Sequence, residues 1–254
     1  MPSRRPFAPR SSRSSRHVRL ARAVTLAGAL GVAAAISPAH VVHAFDDLNA
    51  AQTLVYDRPH LAGTRAGDEI VYRYAASVGG ATAVDDRATL AVDAESDAER
   101  RDVTLDFLHD ERRLELPPFE RYRGNPVLIA MLEHVAQSLA ASAGGGALYV
   151  RNRIRDGFAR EDTRIEEGRV LHDGTEISTV ALSFEPFSDD AFLGRRPGYR
   201  DATIRIVLSD DVPGGVLAIG ARSGASAADA SGRESGGLPF DYELRLDDNP
   251  DENR

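Results

Sequence analysis

Between residues 68 and 109 apolar and polar positions alternate, and a period of two marks strands with one face on a core. Ile70, Tyr72 and Tyr74 interleave with Val71 and Arg73 across 68–77. Residues 88–95 and 102–109 repeat the pattern, with Val103, Leu105 and Phe107 on one face of the second. Gly79-Gly80, Asp85-Asp86 and the charged run 95–101 read as the turns between these strands, and Pro117-Pro118 as the end of an antiparallel meander. The period then changes. Asn125-Pro126 places a capping residue before a proline at the first helical position. Val127, Leu128, Met131, Leu132, Val135 and Leu139 follow at helical spacing, and Gly144-Gly145-Gly146 stops the helix. A second helix is expected over 147–159, where Val150, Ile154 and Phe158 recur four apart, and the glycines let the two fold back as a hairpin.

Alternation returns after Gly157. A short strand is expected at 164–166, a turn at His172-Asp173-Gly174 and an extended run over 176–184. Residues 185–200 read as a long loop. Strict alternation over Ala202, Ile204, Ile206 and Leu208, a turn over 209–215 and a run over 216–221 predict a hairpin. A polar, glycine-rich loop spans 223–237 before a last strand through Phe240, Tyr242, Leu244 and Leu246. Upstream, 45–60 suits a short helix or an ordered arm. The pattern predicts an α+β fold, an antiparallel β-sheet of roughly seven to nine strands with a helical hairpin packed on one face. The sheet edges are expected at the chain ends. One domain over 45–246 and an acidic, disordered tail over 247–254 complete the expected organisation.

The first 44 residues change the reading of charge. Seven arginines and no acid precede an uncharged Ala/Gly/Leu/Val run over 23–36, and Val42-His43-Ala44 offers small or slim residues at a cleavage site. That order is a secretory signal, with a cut expected after Ala44 and a periplasmic destination. The apolar run falls short of the roughly 20 residues that span a bilayer, so no stable membrane anchor is expected. Ser3-Arg4-Arg5-Pro6-Phe7 resembles a twin-arginine motif, but five further arginines separate it from the apolar run, and an arginine-rich leader is the plainer reading. The whole chain carries 31 basic residues, all arginine, against 39 acids, a net charge of −8. Without the leader, 24 arginines face 39 acids, a net of −15. Such a surface disfavours nucleic acid. With no cysteine, thiol chemistry and disulfides are excluded, and the fold rests on its core alone.

Candidate chemistry is sparse. His60, His109, His134 and His172 follow the leader, with no H-E-x-x-H and no G-x-S-x-G, so no cofactor, metal site or catalytic residue is assigned. A carboxylate/histidine-dependent hydrolase is the alternative, with His109 beside Asp110 or Glu111, or Glu133 beside His134. The densest cationic block is Arg151, Arg153, Arg155, Arg160, Arg164 and Arg169, with Tyr149 at its start. Tyr149, Arg151, Arg153 and Arg155 are the candidate ligand-binding residues, since guanidinium groups suit a carboxylate, a phosphate or an acidic partner. The plain alternative pairs that block with Glu161, Asp162, Glu166 and Glu167.

The stretch Gly124-Asn125-Pro126-Val127-Leu128, continuing through Gly144-Gly145 to Tyr149-Val150-Arg151-Asn152-Arg153-Ile154, together with Leu208-Ser209-Asp210-Asp211-Val212-Pro213-Gly214-Gly215-Val216, resembles an exported proteobacterial family of unknown function. The resemblance implies export and a single domain, and brings no activity. The expected architecture is similar in outline to periplasmic lipoprotein carriers. A non-enzymatic periplasmic binding or envelope-assembly protein is the expected function, with an anionic or apolar ligand, or an envelope protein, as partner.

Overall fold

The structure is a computed structural model that describes residues 48–79, 81–160, 162–196, 198–223 and 239–248. The expected leader, most of the glycine-rich loop and the last six residues lie outside that set. Asn49 caps a short helix, α1 (Ala50–Gln52), which runs on as a π-helical turn over Thr53–Asp57. The strands are β1 (Glu69–Val78), β2 (Ala81–Glu95), β3 (Arg101–Phe107), β4 (Phe119–Tyr122), β5 (Arg164–His172), β6 (Thr175–Phe184), β7 (Thr203–Leu208), β8 (Val216–Arg222) and β9 (Phe240–Leu246). They form one antiparallel sheet in the order β4-β3-β2-β1-β9-β8-β7-β6-β5. Two helices, α2 (Pro126–Ala143) and α3 (Ala147–Phe158), separate β4 from β5 in the chain.

The α+β class and the helical hairpin are as the hydrophobic pattern predicts, but the sheet order corrects one expectation. The edges are the strands flanking the helices, while β1 and β9 pair at the centre, Tyr72 opposite Leu246 through Val78 opposite Phe240. Three local expectations also change. Asp85 and Asp86 lie within β2, opposite Ala75 and Tyr74, and not in a turn. Pro117-Pro118 does not end the sheet, since β4 follows directly. β5 runs nine residues instead of three. Its side chains are exposed on both faces over most of its length, so it carries no alternation to read. At the C-terminus, Asp247 N–H donates to the Val71 carbonyl at 2.9 Å and Asp248 pairs with His172 at 2.9 Å, so these two tail residues remain tied to the fold.

Alternation places Ile70, Tyr72, Tyr74 and Ala76 of β1 and Phe240, Tyr242, Leu244 and Leu246 of β9 on the helix-bearing face. Asn125 caps α2 by accepting the Val127 N–H at 3.0 Å, and Gly144, at φ 70°, ends it in the left-handed region. The helix is apolar and long enough to cross a membrane, but 67% of that span is buried inside the fold, as befits a core helix. From α3, Val150, Ile154 and Phe158 point inward. Gly157 lets that helix approach the sheet: a Cβ there would lie 2.5 Å from the Phe184 ring. Tyr72, Tyr74, Phe107, Phe158, Leu128 and Met131, all under 2% exposed, fill the layer interface. Buried Arg101 binds the segment before β1 to the β2–β3 turn by donating to the carbonyls of Ala62, Thr64, Asp97 and Arg100.

Asn125 joins three parts of the fold. Its side-chain amide donates to the Tyr72 hydroxyl and to the Gly214 carbonyl, each at 2.9 Å. Gly214 sits at φ 73°, and a Cβ there would meet Ile70 at 2.8 Å, so the contact requires glycine. Asn125→Ala removes a helix cap and strands two buried polar groups, and is expected to cost about 2–4 kcal/mol. A urea midpoint unchanged from wild type would contradict this reading.

Candidate ligand-binding site

The expected arginine site divides among several carboxylates. Arg151 donates to both oxygens of Glu133 on α2, at 2.5 and 2.6 Å. Arg153 lies 3.3 Å from Asp156 and 3.9 Å from Asp190, and Arg155 lies 3.6 Å from Asp156. Tyr149 and Arg153 do come together: the Tyr149 hydroxyl donates to Asp190 at 2.5 Å, and the Arg153 guanidinium stands 5.6 Å from the Tyr149 ring centre. Asp190 also accepts the Phe192 and Leu193 N–H groups. Burial pushes the Asp190 carboxyl up, but the bonds from Tyr149 and the two amides outweigh it and hold it below the usual carboxylate range. The node fastens α3 to the 185–200 loop. An external anion would have to compete with these carboxylates.

The histidines do not come together as a site, and the buried Nε2 of His60 has no hydrogen-bond partner among the described residues. His109 pairs through Nδ1 with Asp86 at 2.6 Å, not with adjacent Asp110 or Glu111. Left-handed Leu108 (φ 58°) and Asp110 (φ 51°) flank it, and Arg112 donates twice to the same Asp86. Burial raises the Asp86 carboxyl, but these donors together bring it down to about 2. Nothing local in the sequence marks Asp86, because a double aspartate reads as a turn. Glu133 and His134 diverge, Glu133 to Arg151 and His134 into the core, where Nε2 lies 2.7 Å from the Tyr74 hydroxyl. Burial, helped by Arg112, lowers His134 to about 4. His60, packed against Gly215, is likewise lowered to about 4, chiefly by burial. Among the described residues no three His, Asp or Glu side chains cluster as metal ligands.

A groove lies on the opposite face of the sheet, across β5 to β9. Its volume is about 390 Å³. Val170, Val207, Leu217 and Ala218 supply an apolar floor, and three arginines stand over it. Arg222 pairs with Asp241 at 3.3 Å and Arg245 with Glu243 at 3.7 Å. Arg205, exposed at the middle of β7, has no carboxylate partner among the described residues. The register sets Arg205 opposite Gly220, so no side chain crowds it from β8. The groove escapes sequence reading because it assembles residues of five strands that are neighbours only across the sheet. The one available signal was the polar half of the β7 and β9 alternation.

No family model matches the chain, and no curated protein matches it significantly. Among solved structures, the crystal structure of the Mycobacterium tuberculosis lipoprotein LppX is similar over 70% of this chain and 84% of its own, with 10% identity and a TM-score of 0.27. At that level the likeness has no bearing on function.

Buried His60 and His134 set a pH dependence. Each is neutral in the fold down to about 4, whereas the unfolded chain takes up a proton at 6.5. Their stabilisation is therefore complete above pH 6.5 and lost as pH falls toward 4, by about 2–3 kcal/mol for each. His134→Gln keeps a partner for Tyr74 and is expected to flatten roughly half of that slope in urea titrations. An unchanged slope would show that His134 titrates normally in the fold.

Proposed function

We propose that the protein is an exported, non-enzymatic binding protein that takes an anionic amphiphile in the groove of its open sheet face. The observation that carries this reading is Arg205, a cation above an apolar floor that has no carboxylate partner among the described residues, in a chain otherwise rich in acid. A guanidinium presents paired donors to a carboxylate or phosphate, while Val207 and Ala218 accept an aliphatic chain. The basic, apolar and small-residue order of the first 44 residues supports export. The histidine–carboxylate pairs support a binding role over a hydrolytic one. Asp86 staples a loop, and Glu133 and His134 face different surroundings.

A long-chain fatty acid and its alcohol analogue test the reading together by calorimetric titration. The acid is expected to bind more tightly than the alcohol, and Arg205→Ala to weaken the acid about tenfold while leaving the alcohol unchanged. Equal binding of acid and alcohol to wild type, or an indifferent Arg205→Ala, would remove the groove as the site.

A further inference from the structure

The two edges of the sheet differ. β4 has four residues, follows two prolines and pairs irregularly with β3, which blunts it against further strands. β5 has nine residues in unbroken register with β6, and its other side pairs with no strand among the described residues. Ile165 and Leu171 on this strand are 40% and 72% exposed.

The turn fixes which backbone groups of that edge are free. Asp173 and Gly174, at φ 46° and 71°, form a two-residue turn closed by His172 opposite Thr175. Such a turn is closed by a pair that exchanges both hydrogen bonds, and bonded pairs then alternate along the ladder. Even-numbered residues of β5 therefore bond to β6. The N–H and C=O groups of Ile165, Glu167, Arg169 and Leu171 point outward.

We propose that β5 is a self-complementary interface, and that two copies of this chain pair their β5 strands antiparallel about a two-fold axis at Gly168. In this register Ile165 meets Leu171 and Glu167 meets Arg169, each twice. All four use their outward backbone groups and share one face of the strand. A two-fold at residue 167 or 169 would instead set Glu167 against Glu167 or Arg169 against Arg169, and like charges directly opposite are destabilising. Charge complementarity thus selects both the occupant and the register. Within one copy, Arg169 reaches Glu176 at 3.4 Å, with both side chains more than 60% exposed, a weak claim on its charge. Glu167 has no charged partner among the described residues. The pairing is isologous and closed, and it satisfies the longer sheet edge, which is unpaired among the described residues.

Sedimentation velocity over a dilution series of the purified protein, at physiological ionic strength, is expected to show a monomer–dimer equilibrium. Glu167→Arg converts both ionic contacts to repulsions and is expected to weaken the dimer at least about tenfold. Combining Glu167→Arg with Arg169→Glu restores it. The chain has no cysteine, so Gly168→Cys is expected to give a disulfide-linked dimer under mild oxidation, because facing Cα atoms at the two-fold lie within reach. The site tolerates the change: the nearest atom to a Cβ there is Thr179 Oγ1 at 3.4 Å. Glu166→Cys, whose two copies would lie four residues apart along the strands, is expected to stay monomeric on the same gel. A monomer at every concentration, or a dimer that ignores the Glu167 reversal or is not restored by the swap, overturns the proposal.

Discussion

β1 and β9 lie side by side at the middle of the sheet, in register from Tyr72 opposite Leu246 to Val78 opposite Phe240. Each then begins a meander that moves outward, β1 through β2 and β3 to β4, and β9 backwards through β8, β7 and β6 to β5. The chain must therefore pass from one edge of the sheet to the other between residues 122 and 164, and it does so as α2 and α3. A connection that crosses a sheet must bury its own backbone polar groups, and a helix satisfies them internally. The apolar side of the helix pair then covers the alternating apolar positions beneath it. Capping by Asn125 and termination at Gly144 are consequences of the same crossing, because they set where it starts and turns.

This arrangement makes the two faces unlike. One is filled by aromatic and aliphatic side chains, with buried Tyr72 and Tyr74 given partners by Asn125 and His134. The other receives the remaining half of each strand, and over β5 to β9 it combines apolar residues with arginines. Elsewhere on the surface many of the arginines pair with acid, as at Glu133, Asp86 and Asp190. Arg205 is distinguished by its place: it lies over the apolar floor of the groove and has no carboxylate partner among the described residues.

Much of the fold is legible in the residues. Asn125-Pro126 followed by apolar positions at helical spacing gives α2, and strict alternation gives β1, β3, β7 and β9, because each buries one face only. The elements that escape are those without that asymmetry. β5 is exposed on both sides, and β4 is four residues behind a proline pair. Asp86 sits in a strand because His109 and Arg112, from a later loop, satisfy its charge there. Strand order is likewise non-local: no pattern along the chain says that β1 will meet β9. The candidate site was the least legible part. Tyr149 and Arg153 do meet, but around an acid of the same chain, and the groove residues are neighbours only across the sheet.

The most direct measurement is an amide chemical-shift titration of the protein with an anionic amphiphile. Binding on the open face predicts perturbations clustered at alternate residues of β7, β8 and β9, around Arg205, Gly220 and Glu243. Perturbations gathered instead on α2, α3 and the buried positions of β1 would place the ligand between the layers, and would contradict a groove on the face opposite these helices.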